Sequence, residues 1–94
     1  MGRAEYKVEG GKLVKAQVII DGNIIRKVKI TGDFFLHPEE LIEDLEETLV
    51  GTSLDESNLA KLIRGVIEKK NATLLGASPE DFAKCIVMAG KMNG

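Results

Sequence analysis

Few residues in this chain have side chains that could do chemistry unaided. The single histidine, His37, and the single cysteine, Cys85, cannot furnish the three or four ligands of a zinc site, and carboxylates alone would leave a weak, oxygen-rich one. His37 precedes Pro38, where a histidine reads as a capping or loop residue, although an imidazole there could also orient or protonate a ligand. Cys85 lies among Phe82, Ile86 and Met88 in a helical pattern; activating its thiol would need a basic neighbour that the spacing does not supply, so packing is the expectation. Gly10-Gly11-Lys12 looks like the tail of a phosphate cradle, but the rest of that motif is missing and Lys12 runs into a strand, so a tight turn is expected.

Two surfaces and one short segment invite a partner instead. Lys15, Lys27 and Lys29 line the exposed face of a hairpin, either as a solvated strand face or as a site for an anion or an acidic surface. Six acids between Glu39 and Glu47 crowd one helix and repel one another, a strain that a basic partner would relieve. In Gly32-Asp33-Phe34-Phe35-Leu36, two of the three phenylalanines are adjacent. Alternation along an extended chain sends neighbouring side chains to opposite faces, so either one ring leaves the core or the two bury under different elements.

The elements that must position these residues are legible in pattern. Lys12 to Ile20 and Ile24 to Thr31 alternate with period two around Asp21-Gly22-Asn23, which predicts a hairpin with a three-residue loop. That register pairs Val14 with Ile30, Ala16 with Val28 and Ile20 with Ile24. It sets Lys15 against Lys29 and leaves one apolar face interrupted by Arg26. Tyr6 to Val8 is a plausible third strand turned by Gly10 and Gly11. A first helix is expected from His37 and Pro38, with Glu40 in a capping box, Leu36 stapled to Leu41, and Leu41, Ile42, Leu45 and Leu49 as its stripe. A second starts near Ser53 with Glu56 and buries Leu59, Leu62, Ile63, Val66 and Ile67, its end carrying Lys69 and Lys70. A third opens at Ser78-Pro79, buries Phe82, Ile86 and Ala89, and stops at Gly90. Strands followed by helices imply a two-layer α+β fold, a small antiparallel sheet packed against about three helices.

Size and charge bound the rest. Ninety-four residues make one domain, 1–94, with no linker and little room for a deep catalytic cavity. A net charge of −2 disfavours nucleic acid. No apolar run approaches the ~20 residues of a membrane span, and a lone thiol fits a reducing compartment, so a cytoplasmic protein is expected. Charge is blocked along the chain: residues 1–31 hold seven bases and three acids, 32–56 nine acids and no base, and 57–94 six bases and three acids.

Lys7-Val8-Glu9-Gly10-Gly11-Lys12-Leu13-Val14, the hairpin, and Gly32-Asp33-Phe34-Phe35 followed by His37-Pro38-Glu39-Glu40 together resemble the small accessory domain of lipoate-protein ligases, over residues 5–90. Members of that family often carry proline where this chain has Glu9. The resemblance implies a division of labour. ATP, magnesium and lipoate would sit on a separate catalytic subunit that forms lipoyl-adenylate and serves a lipoyl-carrier protein. This chain would bind no cofactor alone and would support the adenylation step. It further implies a seam with that subunit, or a position near the adenylate, for Gly32, Asp33, Phe34, Phe35, Leu36 and His37, with Gly10, Gly11 and Lys12. Phe34 or Phe35 would be the apolar anchor, and Asp33 a polar or turn-fixing residue. The hairpin-then-helices layout also resembles iron-sulfur assembly scaffolds, but those carry a cysteine where this chain has Asp33 and Phe34, and Cys85 alone cannot hold a cluster. An interaction domain sharing that fold without a cluster is the alternative.

Overall fold

A computed structural model describes residues 1–91. In chain order the elements are β1 (Gly2–Lys7), β2 (Leu13–Asp21), β3 (Ile24–Gly32), β4 (Phe35–His37), α1 (Leu41–Leu49), α2 (Glu56–Lys69), β5 (Thr73–Leu75) and α3 (Pro79–Lys91). β1, β2 and β3 form an antiparallel sheet with β2 in the centre, and β4 pairs with β5 in a separate two-stranded sheet. The alternation of β2 puts Val14, Ala16 and Val18 on the covered face. There they meet Val28 and Ile30 of β3 and the buried stripes of the helices: Leu41, Leu45 and Leu49 of α1, Leu59 and Ile63 of α2, and Phe82, Cys85, Ile86 and Ala89 of α3. α3 lies over β1 and β2, α1 lies beside β3, and α2 packs against both helices. The α+β architecture expected from the strand-then-helix order is present, and no described helix is long and apolar enough to cross a membrane.

The hairpin register differs from the expected one. Val14 faces Gly32, Ala16 faces Ile30 and Val18 faces Val28, while at the tip Ile20 faces Ile25 and Asp21 faces Ile24. The loop proper is therefore Gly22-Asn23, and a bulge between Ile19 and Ile20 restores the alignment of faces. Arg26 is the extra residue on the bulged strand. Looping it out lets Ile25, which is fully buried, join the apolar face that Arg26 would otherwise interrupt. Arg26 instead pairs with Asp21 at 3.1 Å. Lys15 consequently faces Thr31 rather than Lys29, and the expected like-charge pair does not form. The third strand exists and is longer than expected, running Gly2–Lys7 with Tyr6 opposite Val14.

Two helix starts also move. His37 belongs to β4, paired with Thr73, and α1 begins only at Leu41; Glu40 flanks it without a side-chain cap. The backbone between Phe35 and His37 is engaged by β5 and is not free to open a helix. α2 begins at Glu56, and its cap is Asp55, whose carboxylate accepts from the Asn58 N–H at 3.3 Å. Ser53 is instead occupied in a bridge to Ile24. α3 starts as expected: the Ser78 N–H donates to Asp81 Oδ2 at 2.9 Å and the Asp81 N–H donates back to Ser78 Oγ at 3.2 Å. It does not stop at Gly90 but continues to Lys91; the glycine instead makes room for Leu54, which lies against the helix where a Cβ would not fit.

The outer edge of β3 is bonded at two places. The Ile30 N–H donates to Glu46 Oε2 at 2.8 Å, the Ile25 N–H donates to the Thr52 carbonyl at 2.9 Å, and the Gly51 N–H donates to the Ile25 carbonyl at 2.8 Å.

Candidate functional site

Three stretches that are distant in sequence meet at one corner of the molecule. The turn after β1 is held by the Gly11 N–H donating to the Val8 carbonyl at 2.9 Å and the Val8 N–H donating to the Lys12 carbonyl at 3.1 Å. Lys7 Nζ donates to the Gly11 carbonyl at 2.7 Å, and the Lys12 N–H donates to the Gly76 carbonyl, beyond β5, at 2.8 Å. Gly11 lies so close to the Gly76 carbonyl and the Val8 side chain that no larger residue fits without a shift. Next to this turn, Asp33 clasps the start of β2: its Oδ1 accepts from the Leu13 N–H at 2.7 Å and its own N–H donates to the Leu13 carbonyl at 3.2 Å. The structure thus brings Gly10-Gly11-Lys12 and Gly32-Asp33-Phe34 together, with Gly76 between them, although the two motifs are some twenty residues apart in the chain.

β4 leaves this corner and fixes the fate of the two phenylalanines. Phe34 is half-buried, its ring edge-on to that of Phe82 with centroids 4.8 Å apart, so it belongs to the core. Phe35 is 53% exposed. Leu36 turns back inward and is buried, and His37 comes outward again, its ring nearly parallel to that of Phe35 at 6.3 Å. Directly across the two-stranded sheet from Phe35 stands Leu75, 59% exposed. Phe35, Leu75 and His37 therefore make an apolar ridge aimed at solvent on a small sheet pinned by Asp33 and Gly11. Beside it, a groove of about 290 Å³ is lined by Gly32, Phe34, Leu36, Glu39 and Ile42 among others. Leu75 and Gly76 were not singled out from sequence. Their only signal is the triplet Thr73-Leu74-Leu75 bounded by Asn71, which takes a left-handed conformation at φ 54°, and by Gly76.

The groups with reactive side chains are placed for structure or contact. Cys85 is buried, its Sγ 3.5 Å from the Val14 carbonyl and 3.6 Å from that of Ala4, and burial pushes its thiol up to about 11. Such a thiol stays protonated and unreactive at neutral pH. Lys12 uses its backbone N–H to close the corner, and its side-chain stem lies along Gly76. Among the described residues no group of three or more His, Cys, Asp or Glu is arranged to hold a metal ion. What this corner offers chemically is a rigid apolar contact surface.

Comparison with known proteins bears on what that surface contacts. The family of the bacterial lipoate protein ligase C-terminus matches residues 3–86. The chain is similar to lipoate-protein ligase A subunit 2 of Thermoplasma acidophilum, 36% identical over 81 residues, which cover 86% of this chain and 82% of that protein. It also superposes with a TM-score of 0.70 and 31% identity, over 89% of each chain, on a chain from a study of an archaeal lipoylation system, a bi-partite lipoate protein ligase and its E2 lipoyl domain from the same organism. A family match that spans β1 to α3, joined by a relative and a solved fold of nearly equal length, shows that this chain belongs to the lipoate protein ligase C-terminal-domain family.

Proposed function

We propose that this chain is the accessory subunit of a bipartite lipoate-protein ligase, and that it supports the ATP-dependent conversion of lipoate to lipoyl-adenylate on a separate catalytic subunit. The observation that carries the reading is its similarity, over most of both chains, to a protein that is itself named as the second subunit of such a ligase. ATP, magnesium and lipoate are assigned to the catalytic subunit, as is the transfer of the lipoyl group to a lysine of the carrier.

In this reading the Phe35–Leu75 ridge is the anchor of the subunit seam, and the Gly10-Gly11-Lys12 turn, Gly32 and Asp33 are positioning residues that hold it. A standard interface takes ~800 Å² from each partner. That is about a seventh of the 5519 Å² surface of this chain, so the ridge would be the centre of a larger contact. Exposed aromatic and aliphatic groups on a stiff support suit that role, because little conformational entropy is lost when they are buried. Seated against a catalytic subunit, such a cover keeps water from the mixed anhydride and strengthens every polar contact around it.

The test mixes this chain with the catalytic subunit from the same organism and follows pyrophosphate release from ATP and lipoate. Stimulation over the catalytic subunit alone is expected; equal rates with and without the chain would end the proposal.

A further inference from the structure

We infer that the outer face of the three-stranded sheet is a second docking surface, for an acidic protein partner, and that the partner is the acceptor domain whose lysine receives the lipoyl group. The identity of the partner rests on the ligase reading above; the character of the surface does not.

The buried residues of the sheet all turn toward the helices, so the opposite face is open among the described residues. The register sets Arg3 beside Gln17 and Gln17 beside Lys29 in one row, Glu5 beside Lys15 and Lys15 beside Thr31 in the next, and Ile19 beside Lys27 toward the hairpin tip. With Lys7, five bases share this face with Glu5 and, at the tip, with Asp21, which is paired with Arg26, in a chain whose net charge is −2. Lys15 has Glu5 at 3.7 Å and Lys7 is tied to Gly11, whereas Arg3, Lys27 and Lys29 form no ion pair among the described residues.

Bases gathered in this way repel one another, and edge protection leaves only the short stretch of β3 around Val28 for them to guard. Lysines on an edge strand ordinarily keep a further strand from adding. The outer edge of β3 already has its Ile30 N–H bonded to Glu46 and both backbone groups of Ile25 bonded to the Gly51–Thr52 segment. Lys27 and Lys29 therefore stand on a strand whose edge is already bonded on either side of them, at Ile25 and Ile30. Nor is the face uniformly polar. Met1 is 73% exposed and Ile19 39% exposed, and together with Gln17, Lys27 and Lys29 they line a recess of about 190 Å³. An apolar centre with cations around it complements an acidic surface that brings one apolar side chain, the pattern of a protein interface with a steering rim.

Position selects the partner. The Phe35–Leu75 ridge follows the Gly32 end of β3, whereas Ile19 and Lys27 lie toward the Gly22-Asn23 tip at the other end. A catalytic subunit seated on the ridge leaves the basic face free for the other macromolecule of the reaction.

The experiment compares the wild-type chain with the Lys27→Glu/Lys29→Glu variant, each assembled with the catalytic subunit, using the unmodified lipoyl domain of the same organism as acceptor. Charge reversal at two rim positions should raise the KM for the acceptor about tenfold and blunt its dependence on salt. Pyrophosphate release without acceptor should not change. An unchanged acceptor KM would overturn the inference, as would loss of acceptor-independent adenylation, which would place the face against the catalytic subunit. A titration of the acceptor domain into the isolated chain, read by amide shifts at Ile19, Lys27 and Lys29, separates the two proposals. Shifts on this face without any stimulation of adenylation would sink the ligase reading and keep the surface; no shifts there would sink the surface whatever the adenylation assay gives.

Discussion

Replacing Phe35 and Leu75 together by alanine is the most direct test of the seam. Burying a Phe or Leu side chain completely is worth ~1.5–3 kcal/mol relative to leaving it in water. Phe35 is 53% and Leu75 59% exposed, so a little over half of that remains to be gained when a partner covers them. The pair then contributes about 2–3 kcal/mol to association, and its loss weakens the Kd for the catalytic subunit by about 30- to 150-fold. Because the two residues stand directly opposite one another, the single substitutions should not sum to the double one. Isothermal titration calorimetry gives the Kd, and a titration of pyrophosphate release against chain concentration gives the functional counterpart. There the midpoint should shift by the same factor while the plateau is regained at saturation. Circular dichroism melting checks that cooperative unfolding survives. A Kd within threefold of wild type in a cooperatively folded variant would refute the assignment of the ridge.

Three further outcomes test the supports. Asp33→Ala removes the acceptor of the Leu13 N–H and should lower stability by ~1–2 kcal/mol in urea denaturation; Asp33→Asn, which keeps an oxygen there, should recover most of the loss, and equal effects of the two variants would contradict the clasp. Gly11→Ala forces a methyl group against the Gly76 carbonyl and should cost ~1–3 kcal/mol by the same measurement, with the ridge disturbed as seen in amide shifts of Phe35 and Leu75. A wild-type urea midpoint would disprove that close approach. For Cys85, burial raises the thiol from 9.0 to about 11, so as the pH climbs the unfolded chain releases its proton first. The contribution of Cys85 to stability should be fully present below about pH 9 and lost progressively from pH 9 to 11, seen as a narrowing difference between wild type and Cys85→Ala in urea midpoints. A chromogenic thiol reagent should react with folded wild-type chain at pH 8 only at the rate of unfolding.

Much of the fold was legible because its signals are local. Ser78 and Asp81 cap α3 within a single turn, and the stripes Leu41–Leu45–Leu49 and Leu59–Ile63 follow from helical periodicity. In the hairpin, alternation settled which side chains share a face from Val28 onward but neither the register nor the faces of Ile24 to Arg26, since sliding one strand by two residues preserves the faces of the paired stretch while the bulge reverses those at the tip. The bulge at Arg26 makes that slide possible, and its motive, the burial of Ile25, is a tertiary one. The two helix starts were misplaced where a residue suited to a cap was taken by a distant partner: Ser53 by Ile24, and the backbone of His37 by Thr73. At the candidate site, the adjacency of Phe34 and Phe35 posed the correct alternatives, and the edge-on packing of Phe34 on Phe82 decides between them. Asp33, expected as a polar or turn-fixing residue, clasps the Leu13 backbone at the start of β2. Leu75 escaped notice because β5 has only three residues, too few for alternation to register.

The second sheet gives the ridge a temporal dependence. Phe35 is made early in synthesis, but the strand beside it comes after α2, and the glycine that latches the turn at Lys12 comes later still. Contacts so far apart in sequence close late, since the intervening loop must lose its freedom before they return anything. A nascent or clipped polypeptide ending before residue 73 would therefore display a lone aromatic on a wandering segment. With the ridge as the proposed seam, recruitment into the complex would select for completed molecules, and the handshake between the two halves of the enzyme would double as an inspection of whether the smaller half has finished folding.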